Sequence, residues 1–188
     1  MPPKIKITKE NIVDASLELV RKNGIDAINA RAIATELNCS TQPVFSNFST
    51  MEELQEAVIL AGYKIYLDYL TREAEMEKYP MYKSYGMGYI RFAKEEKELF
   101  KLLFMSNRKE KERIPTLDFD ASVKMIMDNN GVSKEKATLM HLEIWTCVHG
   151  IGTMLATSFI SLDWELISNM LTDVYQGLRT RHLSEETK

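Results

Sequence analysis

Cysteine is scarce in this chain: Cys39 and Cys147 are the only two among 188 residues, and they stand far apart. Neither a disulfide scaffold nor a paired-cysteine zinc site can organise the fold. Positive charge is also in short supply. The formal net charge is −3, whereas a nucleic-acid binder recognised by charge alone would be basic. Residues 1–51 hold six Lys or Arg against five Asp or Glu, and the remaining 137 residues hold 18 against 22. That small asymmetry neither establishes nor excludes a polyanionic partner. The N-terminus, MPPKIKITKEN, lacks the apolar run of a secretory signal. The span from Ile144 to Leu162 holds 19 residues without Asp, Glu, Lys or Arg, long enough to raise a membrane helix. It carries six polar residues and two glycines, however, and acidic flanks in Glu143 and Asp163 where Lys or Arg would anchor a spanning helix. A helix buried between neighbours or subunits is the better reading, and a cytoplasmic protein with no membrane partner is expected. No Gly-rich phosphate loop, nucleophile elbow or paired-carboxylate arrangement stands out. Catalysis therefore has no positive support, and no cofactor is implied. His141, Glu143, Cys147 and His149 invite a check as metal ligands. On a helix the two histidines lie two turns apart, too far to share an ion, and Glu143 sits on another face. No metal is expected, and His149 is left as a core histidine or a hydrogen-bonding group in a pocket.

What the chain does have is helical periodicity almost throughout. The 45% hydrophobic content suffices for a real core, and the length suits one large domain or a small domain on a larger one. Thr8 is placed to cap a first helix whose Ile12, Ala15, Ser16 and Leu19 share a face widened by Val13 and Val20, with Gly24 as its stop. Lys4, Lys6 and Lys9 occupy an arm before it. They are either phosphate contacts or the solvated lysines common at chain ends. Thr50-Met51-Glu52-Glu53 reads as a capping box, Glu53 reaching back to the Thr50 N–H. It opens a helix expected to run to about Lys78, before Pro80. Its apolar residues, Leu54, Val58, Ala61 and Ile65 with Leu60, Leu67 and Leu70, lie on more than one side, so it packs against more than one neighbour. Met81 to Ser106 is helical with a break near Lys94 to Lys97. Gly86 and Gly88 weaken that run and leave space beside it. SNRKEKERIPT, Ser106 to Thr116, is a charged connection. A helix over Asp118 to Asn130 ends at Asn129-Asn130-Gly131. Ser133 caps the next helix, and Asp163 the last, in which Leu166, Ile167, Met170, Leu171, Val174 and Leu178 form a wide apolar face. The fold class is all-α, with about nine helices.

The most informative stretch is Ile28 to Leu54. Asn29 can cap a short helix with Ala32, Ile33 and Leu37 on one face. Asn38 then tolerates the left-handed conformation that reverses the chain. Ser40 or Thr41 caps a second helix, and Pro43 falls in its first turn, where a missing N–H costs little. Val44 and Phe48 can face the first helix. Gln42, Pro43, Ser46 and Asn47 point outward and present uncharged hydrogen-bonding groups suited to base edges in a major groove. On spacing alone this is either a helix-turn-helix or a helical hairpin whose polar face meets water.

Residues Thr8 to Leu54 resemble the N-terminal domain of the TetR family of transcriptional regulators, through Ile12, Ala15, Leu19, Gly24, Arg31, Ile33, Ala34, Leu37, Ser40, Val44, Phe45, Phe48, Glu53 and Leu54. Ile144-Trp145 with His149-Gly150, and the run RFAKEEKELFKLLFM, look more loosely like the C-terminal domain of some TetR-type regulators. There are departures. The family usually has Tyr where Phe45 stands, often His at Asn47 and Lys at Met51, and frequently Gly at Asn38. The missing hydroxyl and ammonium remove two phosphate contacts. The resemblance implies a helix-turn-helix domain over residues 1–50 and a ligand-binding and dimerisation domain over 51–188. Its implied partners are double-stranded operator DNA, a small-molecule effector, and a second copy met through the last two helices. Gln42 and Asn47 would bond base edges, Pro43 would make apolar contact, and Phe45 would abut sugar or phosphate. Arg31 would contact phosphate or a nearby base, with Asn29, Thr41 and Ser46 in the same interface. Tyr63, Met87, Phe104, Trp145 and His149 are the candidates to meet the ligand. Ligand entry would then move the helix that begins at Glu52 and spoil the spacing of the two reading heads. A helical small-molecule carrier or interaction module that never meets DNA is the alternative, and an enzyme built in a helical bundle comes third.

Overall fold

The computed structural model describes residues 7–106 and 117–184, and all regular structure among them is helical. Lys4 and Lys6 of the arm, and the charged connection at 107–116 with Pro115, lie outside those residues. Two compact units are present: Met1–Leu67 with Glu96–Ser106, and Asp68–Glu95 with Asn107–Lys188.

In the first unit, α1 (Lys9–Asn23) starts with a capping box. Thr8 Oγ1 accepts from the Asn11 N–H, and the Asn11 side chain accepts from the Thr8 N–H. Ile12, Ala15, Leu19 and Val20 are buried along one side. Gly24 ends the helix at φ +77°, where a Cβ would be strained. A short 3₁₀ turn, Ile25–Ala27, leads to α2 (Ala30–Glu36) and α3 (Gln42–Asn47). Then α4 (Met51–Glu75) begins, its Glu53 N–H donating to Thr50 Oγ1 at 3.1 Å. The Glu53 carboxylate reaches one residue further back than the capping-box reading places it. It accepts from the Ser49 N–H at 2.7 Å, not from Thr50, and also holds Lys9 at 3.1 Å. Those two donors keep its pKa below the ordinary carboxylate value. The helix stops at Glu75, short of Lys78, and Glu77 takes φ +50°. Glu96 is the break expected near Lys94 to Lys97, with φ −113° and ψ 55°. It is followed by α6 (Lys97–Phe100), which widens into a π-helical turn at Lys101–Met105. Leu99 and Phe100 are fully buried, and Glu96 accepts Arg21 of α1 bidentately at 2.9 and 2.7 Å. Three short helices have a thin core. Within this unit α6 packs on α1, which extends that core.

The second unit contains the end of α4 with α5 (Met81–Glu95), α7 (Leu117–Asn130), α8 (Lys134–Ala156) and α9 (Trp164–Ser184). Gly88 of α5 lies so close to α4 that a Cβ there would sit 3.0 Å from both Leu70 Cα and the Tyr69 carbonyl oxygen. Any side chain there would force the α4 backbone to give by a few tenths of an ångström. Two Tyr–His bonds, Tyr82 to His141 and Tyr89 to His149, each 2.8 Å, join α5 to α8. The uncharged run from Ile144 to Leu162 is not one helix. It leaves α8 after Ala156, turns through Ser158 at φ +57°, and precedes α9, whose Leu166 N–H is capped by Asp163 at 2.8 Å. Among the described residues no helix is long and apolar enough to cross a membrane.

Candidate nucleic-acid interface

The α2–α3 pair follows the local chemistry closely. Asn29 Oδ1 accepts from the Ala32 N–H at 2.9 Å, satisfying one of the helix's first free donors. Ile33 and Ala34 are buried beneath it. Asn38 takes the left-handed conformation at φ +50°, and the Cys39 N–H closes the turn on the Ala34 carbonyl at 2.8 Å. At the start of α3 the expected Ser or Thr cap is absent. Thr41 stands at the N-cap position in a helical conformation and makes no side-chain capping bond. With helical φ and ψ its hydroxyl does not meet the first N–H groups, and Pro43 has already removed one donor there.

Val44 and Phe48 face inward, at 1% and 4% exposure, while Gln42 and Ser46 are exposed and Phe45 is 58% exposed. Pro43 is half-buried on the same turn. Asn47 departs from its expected role. Its Nδ2 donates to the Pro43 carbonyl at 2.8 Å and to the Ile7 carbonyl at 3.4 Å, so the amide donors serve the protein and not a base edge. An Asn at a short helix's C-terminal end reaches its i−4 carbonyl easily, and the chain before α1 passes within its range.

Of the four N-terminal cations among the described residues, three are paired. Lys9 binds Glu53 at 3.1 Å and lies over the Phe48 ring, and Lys22 binds Glu36 at 2.8 Å. Arg21 binds Glu96 and Glu18, which raises its pKa further. Arg31 is exposed, and among the described residues it has no ion-pair partner. The surface offered by α3 is thus one of amide, hydroxyl and aromatic groups beside a single guanidinium.

The ligand candidates divide between the units. Tyr63 and Phe104 belong to the first, both against Tyr66, whose ring centre lies 5.5 and 5.2 Å from theirs. In the second, Trp145 stacks on the His149 ring at 5.0 Å and His149 bonds the Tyr89 phenol. Burial lowers the pKa of His149 and raises that of Tyr89. Met87 is fully buried core. Tyr66 and Tyr89 are the partners that sequence reasoning missed; the seven-residue repeat of Tyr82 and Tyr89 against the eight-residue repeat of His141 and His149 is the signal that could have found the second. Among the described residues no group of three or more His, Cys, Asp or Glu is placed to share a metal ion.

No family model matches the chain. An uncharacterised HTH-type transcriptional regulator of Mycobacterium tuberculosis, Rv0681, is 22% identical over 187 residues, which are 94% of this chain and 84% of that protein. The solved structure of a TetR-family member from Streptomyces coelicolor superposes with a TM-score of 0.67 at 13% identity, covering 88% of this chain and 96% of the other. The chain has the TetR-family fold. The multidrug binding protein EbrR, solved in complex with malachite green, shares it with a TM-score of 0.65 at 13% identity over 92% of this chain and 98% of its own. All-α architecture and the placement of α2 and α3 as a helix-turn-helix agree with the expectation from sequence.

Proposed function

We propose that the chain is a homodimeric transcriptional regulator that reads a palindromic operator with α3 and is controlled by a small molecule. One observation carries this reading: α3 is anchored by Val44 and Phe48 while Gln42, Phe45 and Ser46 stand in solvent. A short helix buried on one side and bearing uncharged hydrogen-bonding groups on the other meets the requirements of a major-groove reader. Gln42 bonds a base edge, Pro43 makes apolar contact, Phe45 abuts sugar or phosphate, and Arg31 meets a phosphate or a nearby base. Asn29, Thr41 and Ser46 line the same approach. Asn47 holds the helix end in place. With such a partner the protein acts in the cytoplasm, and repression, the commoner habit of the family it resembles, is the proposed sense of control.

A second copy covers an apolar strip on the last two helices. Leu139, Leu142 and Trp145 recur at intervals of three along α8, each more than 40% exposed, with Leu166 of α9 and Phe159 of the turn between them. Large apolar side chains so exposed on a single chain favour a two-fold contact. The two α3 helices would then have to lie about 34–36 Å apart. The effector is assigned to the Tyr89–His149–Trp145 group of the second unit, and EbrR's complex with a dye supports a small-molecule role for the fold. Control requires that the effector bind the DNA-incompetent state more tightly. Genomic SELEX with the full chain tests the DNA reading: enrichment of a palindrome is expected. No enrichment at low salt would leave the DNA-free carrier as the better description.

A further inference from the structure

The Lys83 ammonium of α5 lies 2.8 Å from Ser168 Oγ and 2.7 Å from Thr172 Oγ1 of α9. It also lies 4.7 Å from the centre of the Tyr79 ring. All four residues belong to the second unit. An ammonium carries three N–H donors and accepts nothing, so two are used on the hydroxyl oxygens and one remains. Thr172 gives its own proton to the Ser168 carbonyl at 3.0 Å. The Ser168 hydroxyl, on a residue only 8% exposed, accepts from Lys83 and has no acceptor for its proton among the described residues. Nor does any carboxylate among those residues lie within ion-pair distance of Lys83. A half-buried lysine ordinarily pairs with a carboxylate or extends its head into water. Here two hydroxyls at i and i+4 of one helix fix the ammonium while leaving its charge unmatched.

We propose that Lys83, Ser168 and Thr172 form a binding site for the carboxylate of a small organic acid. The third ammonium N–H and the Ser168 O–H issue from atoms 2.8 Å apart, so each meets one oxygen of the same carboxylate. Thr172 orients the ammonium without offering a donor of its own. Tyr79 flanks the site, its ring centre also 5.3 Å from the exposed Lys78 ammonium. One fixed positive charge matches a monoanion. A phosphate dianion brings a second charge and a third oxygen for which these residues hold no donor. The site stands whether or not the chain binds DNA, because none of its groups belongs to α1–α3.

Isothermal titration calorimetry of the full chain with sodium benzoate, sodium phosphate and neutral benzamide, at matched ionic strength, tests the proposal. Saturable one-site benzoate binding is expected, at least tenfold tighter than either phosphate or benzamide. It should weaken at least tenfold in Lys83→Gln. Absence of saturable benzoate binding, equal binding of benzamide, tighter binding of phosphate, or unchanged affinity in Lys83→Gln would overturn it. Ser168→Ala keeps the ammonium and removes only the hydroxyl donor, so it decides the matter if Lys83→Gln does not fold: unchanged benzoate affinity there overturns the site.

Discussion

Asn47 turns its amide nitrogen back onto the carbonyl of Pro43, 2.8 Å away, while Gln42 at the other end of the same helix stands in solvent. The two amides therefore have different work. If α3 reads DNA as proposed, Gln42→Ala should reduce discrimination between operator and random DNA by about 1–3 kcal/mol, with little change in urea stability. Asn47→Ala should instead lower stability by about 0.5–1.5 kcal/mol, the net worth of a typical hydrogen bond, and weaken both DNAs alike. Competition binding beside urea melts separates the two, and a selective loss of operator affinity in Asn47→Ala would contradict the assignment.

Among the described residues few cations are open to phosphate: Lys9, Arg21 and Lys22 are paired with carboxylates, and Arg31 is exposed without an ion-pair partner. Each phosphate contact contributes about 0.9 to the slope of log K against log salt. Arg31→Ala should reduce that slope by about two per dimer, one contact from each copy. Phe45→Tyr should tighten binding to operator and random DNA equally, by about 0.5–1.5 kcal/mol, through a new phosphate hydrogen bond. A salt titration of both variants checks this, and an unchanged slope in Arg31→Ala would remove Arg31 from the interface.

Short-range chemistry made much of this legible in advance. Asn29, Asn38, Gly24, Thr50, Ser133 and Asp163 all cap or turn the chain where their side chains suggest, because a cap needs only a neighbour three or four residues away. The departures arose at two ranges: Thr41 makes no cap and Glu53 bonds Ser49, four residues away, while others involve partners far along the chain. Asn47 looks like a base reader until Ile7, forty residues before it, is seen within reach of its amide. The Ile144 to Leu162 run looks like one helix because composition does not register the reversal at Ser158. The partition into 1–50 and 51–188 follows a functional motif, whereas the compact units also gather α6 to α1 through Glu96 and Arg21, 75 residues apart.

Glu73 is 1% exposed, accepts Arg91 Nε at 2.8 Å on one carboxylate oxygen, and has no hydrogen-bond partner for the other. Arg91 in turn places its Cζ over the Trp164 ring, 4.2 Å from the ring centre. Removing the guanidinium strands a buried negative charge, so Arg91→Met should cost about 3–5 kcal/mol. Replacing both ions by apolar groups removes the uncompensated charge as well as the pair. Glu73→Leu combined with Arg91→Met should therefore be more stable than Arg91→Met alone. Equal urea midpoints for the single and double variants would show that Glu73 escapes to solvent or to a new partner.

Acid should destabilise this fold before its carboxylates titrate. His141 and His149 have their pKa values lowered by burial, each ring meeting a tyrosine whose own pKa burial raises. Each phenol oxygen lies 2.8 Å from the Nδ1 of its neutral ring, in a hydrogen bond whose direction follows the histidine tautomer. In the unfolded chain the same rings take up protons near the ordinary histidine value of about 6.5. Below that pH the unfolded state binds more protons than the folded one, so stability falls as pH falls. Their full contribution is present above about 6.5 and is lost on descent towards the depressed folded values, whereas Glu53 and Glu135, also lowered, act only below about 4.5. Melting temperature should therefore decline as pH falls below about 6.5, and His141→Gln, which cannot ionise, should flatten the decline. A decline of equal steepness in wild type and in a His141→Gln, His149→Gln double variant would assign the acid sensitivity to other groups.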